Sequence, residues 1–175
     1  MLVAPLTLTP AERRVAAKIA SSFIVLAPQC PQLEVWDDGA VLALLDAIAI
    51  QLQVDPARVY LTGLSMGAFG AWSLGMRHPE RFAALVPICG GGRLADITSA
   101  QRKRKAALRQ LGVWAFHGAQ DRVVPLEESE RMITALKKVG ADDVRLTVYP
   151  DAGHDSWTSA YATPAVYTWL LKHAR

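Results

Sequence analysis

The stretch Arg58-Val59-Tyr60-Leu61-Thr62-Gly63-Leu64-Ser65-Met66-Gly67 passes from a run with a strand's composition into one that reads as helix. At that junction a serine sits on a sharp turn, where tight backbone geometry excludes bulky side chains two residues before and two after it. Gly63 and Gly67 occupy those places. Such a turn lifts a hydroxyl clear of a sheet and makes Ser65 a candidate nucleophile. G-x-S-x-G arises from composition alone in roughly one chain of this length in twenty, so its weight depends on whether the rest of the chain supplies a base and an acid.

A serine hydroxyl attacks poorly near neutral pH unless a base takes its proton, and the base needs an acid to fix its tautomer. Both are expected on loops after later strands, the acid first and the histidine last. Val113-Trp114-Ala115-Phe116 reads as a strand and leads into His117-Gly118-Ala119-Gln120-Asp121, which makes Asp121 the candidate acid. Val144-Arg145-Leu146-Thr147-Val148-Tyr149 alternates as a strand does and leads into Pro150-Asp151-Ala152-Gly153-His154, which makes His154 the candidate base. Asp151 and Asp155 lie closer to His154 in sequence, but nearness in sequence favours neither. His117 reads as structural, His78 as a helix stop and His173 as an exposed residue near the C-terminus.

With Ala27-Pro28-Gln29-Cys30-Pro31 and Trp36-Asp37-Asp38, these segments resemble the α/β-hydrolase superfamily over about residues 23–175. The likeness is to its lidless branch of small carboxylesterases, dienelactone-hydrolase-like and prolyl-oligopeptidase-like enzymes. It implies Ser65 as nucleophile, Asp121 as acid and His154 as base, with the N–H of Met66 as one oxyanion donor and no metal or cofactor. The expected activity is hydrolysis of short-acyl or aryl carboxylic esters through an acyl-enzyme. A noncatalytic remnant acting in binding or assembly is one alternative; a peptidase and a dienelactone hydrolase, which usually carries cysteine where Ser65 stands, are others. Trp36 and Trp157 read equally as lining of a substrate pocket and as core or rim aromatics.

The remaining elements alternate between strand and helix, which predicts an α/β fold: a mostly parallel sheet with helices on both faces. Thr9-Pro10 caps a helix over residues 11–21, and residues 23–27 read as a short buried strand. Asp38 caps a helix on which Val41, Leu44, Leu45, Ile48 and Leu52 recur at helical spacing. The elbow helix, residues 65–77, stops at His78-Pro79. A strand comes next over 83–88, then an irregular turn at Gly90-Gly91-Gly92 and a helix over 99–111. Helices over 127–139, stopped by Gly140, and over 163–172 complete the series.

Relatives of this kind have three further strands upstream and a His-Gly-rich loop that gives a second oxyanion donor. The expected fold is therefore minimal, lacking those first strands and any large lid. Leu2-Val3-Ala4-Pro5-Leu6-Thr7-Leu8 can fill the gap, although Pro5 removes a ladder donor. Otherwise a second copy covers the margin in a homodimer using residues 1–27. Thr9 or the Gln29-Cys30 turn then serves as second donor.

Composition fits one soluble domain over residues 1–175, with 51% hydrophobic and 20% charged residues and no apolar run long enough to span a bilayer. The opening residues lack the pattern of a secretory signal, so a cytoplasmic location is expected. Cys30 and Cys89 read as free buried thiols. The net charge of +3 is modest, and Arg102-Lys103-Arg104-Lys105 with Arg109 reads as a solvated helix face. No nucleic-acid partner and no membrane are expected; the implied partner is a small-molecule ester.

Overall fold

The computed structural model describes residues 17, 19 and 21–175. Its sheet has four parallel strands in the order β1-β2-β3-β4: Tyr60–Leu64, Ala84–Ile88, Gly112–Gly118 and Val144–Tyr149. Parallel strands need crossovers, and helices supply each one: α2 (Met66–Arg77) after β1, α3 (Leu94–Lys103) and α4 (Lys105–Gln110) after β2, and α5 (Glu127–Lys138) after β3. Before β1 lies α1 (Asp38–Gln51), and after β4 come α6 (Trp157–Tyr161) and α7 (Pro164–Leu170). This is the expected α/β architecture, a parallel sheet with helices on both faces.

Alternation along the strands divides the core in two. Leu85, Val113 and Ala115 face one layer and pack with Trp72, Leu74 and Met76 of α2, Ile97 of α3, Leu108 of α4 and Met132 and Leu136 of α5. Ala84, Val86, Ile88 and Phe116 face the other, against Ala160 of α6 and Val166, Trp169 and Leu170 of α7. β2 is buried along its whole length, as expected of a strand covered on both sides. Tyr161 fastens the second layer to the sheet, its hydroxyl 2.9 Å from Thr62 Oγ1, which itself donates to the Val86 carbonyl at 2.7 Å.

Several expectations need correction. Residues 23–27 form no strand, and Ile24 and Val25 are 56% and 68% exposed. An extended segment becomes a strand only through a ladder partner, and among the described residues β1 is the sheet's margin. Phe23 alone of this run is anchored, edge-to-face on Tyr60 and Tyr167 at centroid distances of 5.8 and 6.2 Å. The helix expected over 99–111 is two helices that break at Arg104. On one continuous helix Arg104 would share the buried stripe of Ile97, Ala100 and Leu108; the break instead turns it to Glu80, 2.9 Å away. Asp37, not Asp38, caps α1, accepting from the Ala40 N–H at 2.6 Å. The five-residue α6 escaped a reading based on periodicity. The expectations for residues 2–8, for the Thr9-Pro10 cap and for most of the helix over 11–21 lie outside the described residues.

Trp72 is fully buried at the centre of the first layer. Trp72→Ala should destabilise the chain by about 3–5 kcal/mol in urea unfolding, whereas Val35→Ala on the surface should stay within about 0.5 kcal/mol of the parent. Equal small effects would contradict this assignment of the core.

Candidate active site

Ser65 closes β1 and opens α2 with φ of +49° and ψ of −117°, a region that a residue with a Cβ rarely enters. Its N–H is bound to the Ile88 carbonyl at 3.0 Å, and its own carbonyl accepts from Ala68 and Phe69 at 2.9 and 3.2 Å. The glycines on either side are not equivalent. A Cβ on Gly63 would collide with the carbonyl of Gly67, while one on Gly67 would meet nothing within 4 Å. The steric need for glycine thus falls on Gly63 alone, a correction to the symmetric expectation.

β1, β3 and β4 end on the same side of the sheet, which brings three separate loops together. His154 Nε2 lies 2.9 Å from Ser65 Oγ, and His154 Nδ1 lies 2.7 Å from Asp121 Oδ2. Of the three aspartates weighed as acid, Asp121 is the one whose carboxylate lies within hydrogen-bond distance of the His154 ring. Asp155 instead accepts from Thr158 Oγ1 at 2.7 Å, at the start of α6, and Asp151 is exposed. The acid and base loops are joined by Ala119 N–H to the Tyr149 carbonyl and Gln120 N–H to the Ala152 carbonyl, both at 2.9 Å. At Gly118 the Gly153 and Ala152 carbonyls approach so closely that no Cβ fits between them.

The Asp121 carboxylate has no exposed surface, and besides His154 its Oδ2 has His117 Nε2 at 3.3 Å. Oδ1 accepts from the N–H groups of Val123 and Val124 at 2.8 and 2.9 Å. Burial pushes its pKa up, but the hydrogen bonds from His154, Val124 and Val123 outweigh that, and the pKa lies below the ordinary aspartate value. His117 is structural, as expected. It is fully buried, with Nδ1 2.8 Å from Ser129 Oγ and Nε2 2.9 Å from the Val124 carbonyl, and so holds the acid loop on α5. Ser129 was missed, its only sequence signal being its place on the buried stripe of Met132 and Leu136.

The two tryptophans separate. Trp157 stands edge-on to the His154 ring, with centroids 5.4 Å apart. Trp36 lies against Gly70, one turn along α2 from Met66, so closely that Gly70 could not carry a Cβ. Met66, half exposed at 49%, provides the first N–H of α2, one of the donors that a helix leaves without an intrahelical acceptor. Thr9 lies outside the described residues, and the Gln29 side chain is turned to the Cys30 carbonyl at 3.5 Å. A cavity bounded by Pro79, Phe82 and Leu111 lies at the opposite end of the strands from Ser65. Among the described residues no group of three or more His, Cys, Asp or Glu side chains is placed to hold a metal ion.

The family described as Phospholipase/Carboxylesterase matches residues 39–170, which include Ser65, Asp121 and His154. The chain belongs to that family. Individual sequences agree: poly(3-hydroxyalkanoate) depolymerase C of Paucimonas lemoignei is 29% identical over 160 residues, 75% of this chain and 38% of that one. Acyl-protein thioesterase 1 of Gibberella zeae is 32% identical over 113 residues, 61% of this chain and 47% of that one. The crystal structure of a thermostable esterase superposes with a TM-score of 0.72 at 32% identity, covering 85% of this chain and 43% of that one. Arabidopsis thaliana SOBER1, at 20% identity and a TM-score of 0.62, shares the fold. This chain thus spans less than half the length of the two curated relatives.

Asp143 also has a lowered pKa, burial being outweighed by hydrogen bonds from Arg145 and Trp169. For carboxylates depressed below an unfolded value of about 3.9, the stabilisation is complete above that pH and disappears as pH falls through the lower folded value. Urea unfolding should therefore give a level free energy from about pH 7 to about pH 5 and a decline below about pH 4, less steep in Asp121→Asn. Stability unchanged down to about pH 2 would contradict the paired state of these carboxylates.

Proposed function

We propose that the chain is a serine carboxylesterase acting on short-acyl or aryl esters through Ser65, His154 and Asp121. The observation that carries this reading is the unbroken line from Ser65 Oγ to His154 Nε2 at 2.9 Å and from His154 Nδ1 to Asp121 at 2.7 Å. With the Nδ1 proton donated to the carboxylate, Nε2 has a lone pair free to take the serine proton. Ser65 Oγ then bonds to the ester carbonyl carbon, and the electron pair of the C=O moves to oxygen as a tetrahedral intermediate forms. The Met66 N–H faces that developing charge from the positive end of α2. Collapse expels the alcohol, which takes the proton from His154, and leaves an acyl group on Ser65. Water repeats the sequence, giving up a proton to His154 and releasing the acid.

The surroundings support small, accessible esters. The residues between β2 and β3 turn Ile97, Ala100 and Leu108 into the core and so do not form a lid. Met66, Phe69 and Val123, the last 69% exposed, offer apolar surface on elements that carry the triad, and Trp157 flanks the histidine. Among the described residues no helix is long and apolar enough to cross a membrane. Two free buried cysteines suit a reducing compartment, and we place the protein in the cytoplasm on that ground.

p-Nitrophenyl acetate and butyrate should be hydrolysed, and Ser65→Ala should remove the activity while leaving the circular dichroism spectrum unchanged. Equal rates for parent and variant would remove the proposal. Asp121→Asn should lower kcat by about a thousandfold or more, with Asp151→Asn and Asp155→Asn mild by comparison; the opposite ranking would move the acid elsewhere.

We infer as well that a second copy covers the margin at β1. Ile24 and Val25 are exposed beside Phe23, which packs on Tyr60 of β1, and α1 has no fully buried residue. Light scattering at micromolar concentration should give twice the 19.0 kDa of the chain. A mass near 19 kDa would refute the homodimer.

A further inference from the structure

Cys89 comes directly after β2 and lies beneath the serine turn with no exposed surface. The Ser65 N–H that reaches the Ile88 carbonyl at 3.0 Å also points to the Cys89 sulfur, 3.3 Å away. Both partners are strained: φ is +49° at Ser65 and +47° at Cys89. A left-handed conformation costs a residue with a Cβ roughly 1–2 kcal/mol, and it persists only where surrounding contacts over-determine it. On the far side, β3 holds Cys89 through its N–H to the Phe116 carbonyl at 2.9 Å.

The sulfur is not itself a nucleophile in waiting. Burial raises the Cys89 pKa against the opposing effects of the Ser65 N–H and the Ser156 hydroxyl, so the group stays a neutral thiol. Ser156 is fully buried, its hydroxyl has no formed hydrogen bond among the described residues, and its own N–H binds the His154 carbonyl at 2.9 Å. Cys89 therefore stands between the turn that carries the serine and the end of β3.

We propose that Cys89 is a positioning residue for catalysis: its sulfur, as second acceptor for the Ser65 N–H, fixes the rotation of that peptide. This rests on Ser65 being the nucleophile. The rotation sets the direction of Oγ toward His154 and, through the next peptide, the direction of the Met66 N–H. A carbonyl alone leaves the peptide free to pivot about one hydrogen bond; two acceptors on different atoms remove that freedom. Small errors of this kind are expensive, since a misplacement of about 1 Å can cost about a hundredfold in rate.

The positive φ separates this role from mere packing. Glycine adopts that conformation without strain, so Cys89→Gly removes the sulfur while relieving the backbone. Cys89→Ser restores a neutral acceptor at the same place. With p-nitrophenyl butyrate, Cys89→Gly should lower kcat about tenfold, a partial form of the misplacement penalty, with KM and thermal midpoint near the parent's. Cys89→Ser should recover most of kcat. Full activity in Cys89→Gly, equal losses in the glycine and serine variants, or a loss that tracks a lowered thermal midpoint would each overturn the proposal. A parent whose turnover does not depend on Ser65 would overturn both this and the nucleophile assignment, whereas a Ser65-dependent parent with a fully active Cys89→Gly would overturn this one alone.

Discussion

The hydrogen bond from the Ser65 N–H to the Ile88 carbonyl ties the end of β1 to the end of β2 at the point where the chain must reverse into α2. It holds Ser65 in a left-handed conformation that the residue would not keep by itself. Gly63 permits the reversal, because any side chain there would meet the Gly67 carbonyl. The direction of the serine hydroxyl and of the first N–H of α2 both depend on this constraint. Trp72, Leu74 and Met76 supply the counterweight, fixing α2 on the sheet with a buried apolar face.

A parallel sheet converts that local strain into a site. Strands that run the same way end on the same side, so loops distant in sequence meet without any segment crossing the molecule. The loops after β3 and β4 are then joined by backbone hydrogen bonds, and His117 and Ser129 pin the first of them to α5. Asp121 consequently accepts from two N–H groups and the His154 imidazole, with the His117 ring 3.3 Å from the same oxygen as His154, in a place without solvent that keeps it ionised and keeps His154 in one orientation.

The sequence located the residues of the candidate site more closely than it did the bounds of the elements around them. Ser65, Asp121 and His154 were legible because each lies in a turn at a strand's end, and turns have short-range signals that survive without knowledge of the partner. β4 was read with its observed bounds since alternation reports a half-buried strand directly. Residues 23–27 misled for the converse reason: Phe-Ile-Val-Leu-Ala has strand composition, but pairing depends on a neighbour that composition does not reveal. The break at Arg104 required knowing that its stripe faces the core, and Ser129 and Cys89 matter through contacts with residues 12 and 24 positions away. Trp36 and Trp157 looked alike in sequence and differ only in what they touch.

A fluorophosphonate probe gives the most direct test of an activated serine, because it phosphonylates a hydroxyl whose proton is being withdrawn and releases fluoride. Mass spectrometry of the folded chain, followed by peptide mapping, should find one adduct per chain on Ser65 and none after denaturation or in His154→Ala. No adduct on the folded chain, or an adduct on another residue, would contradict the account.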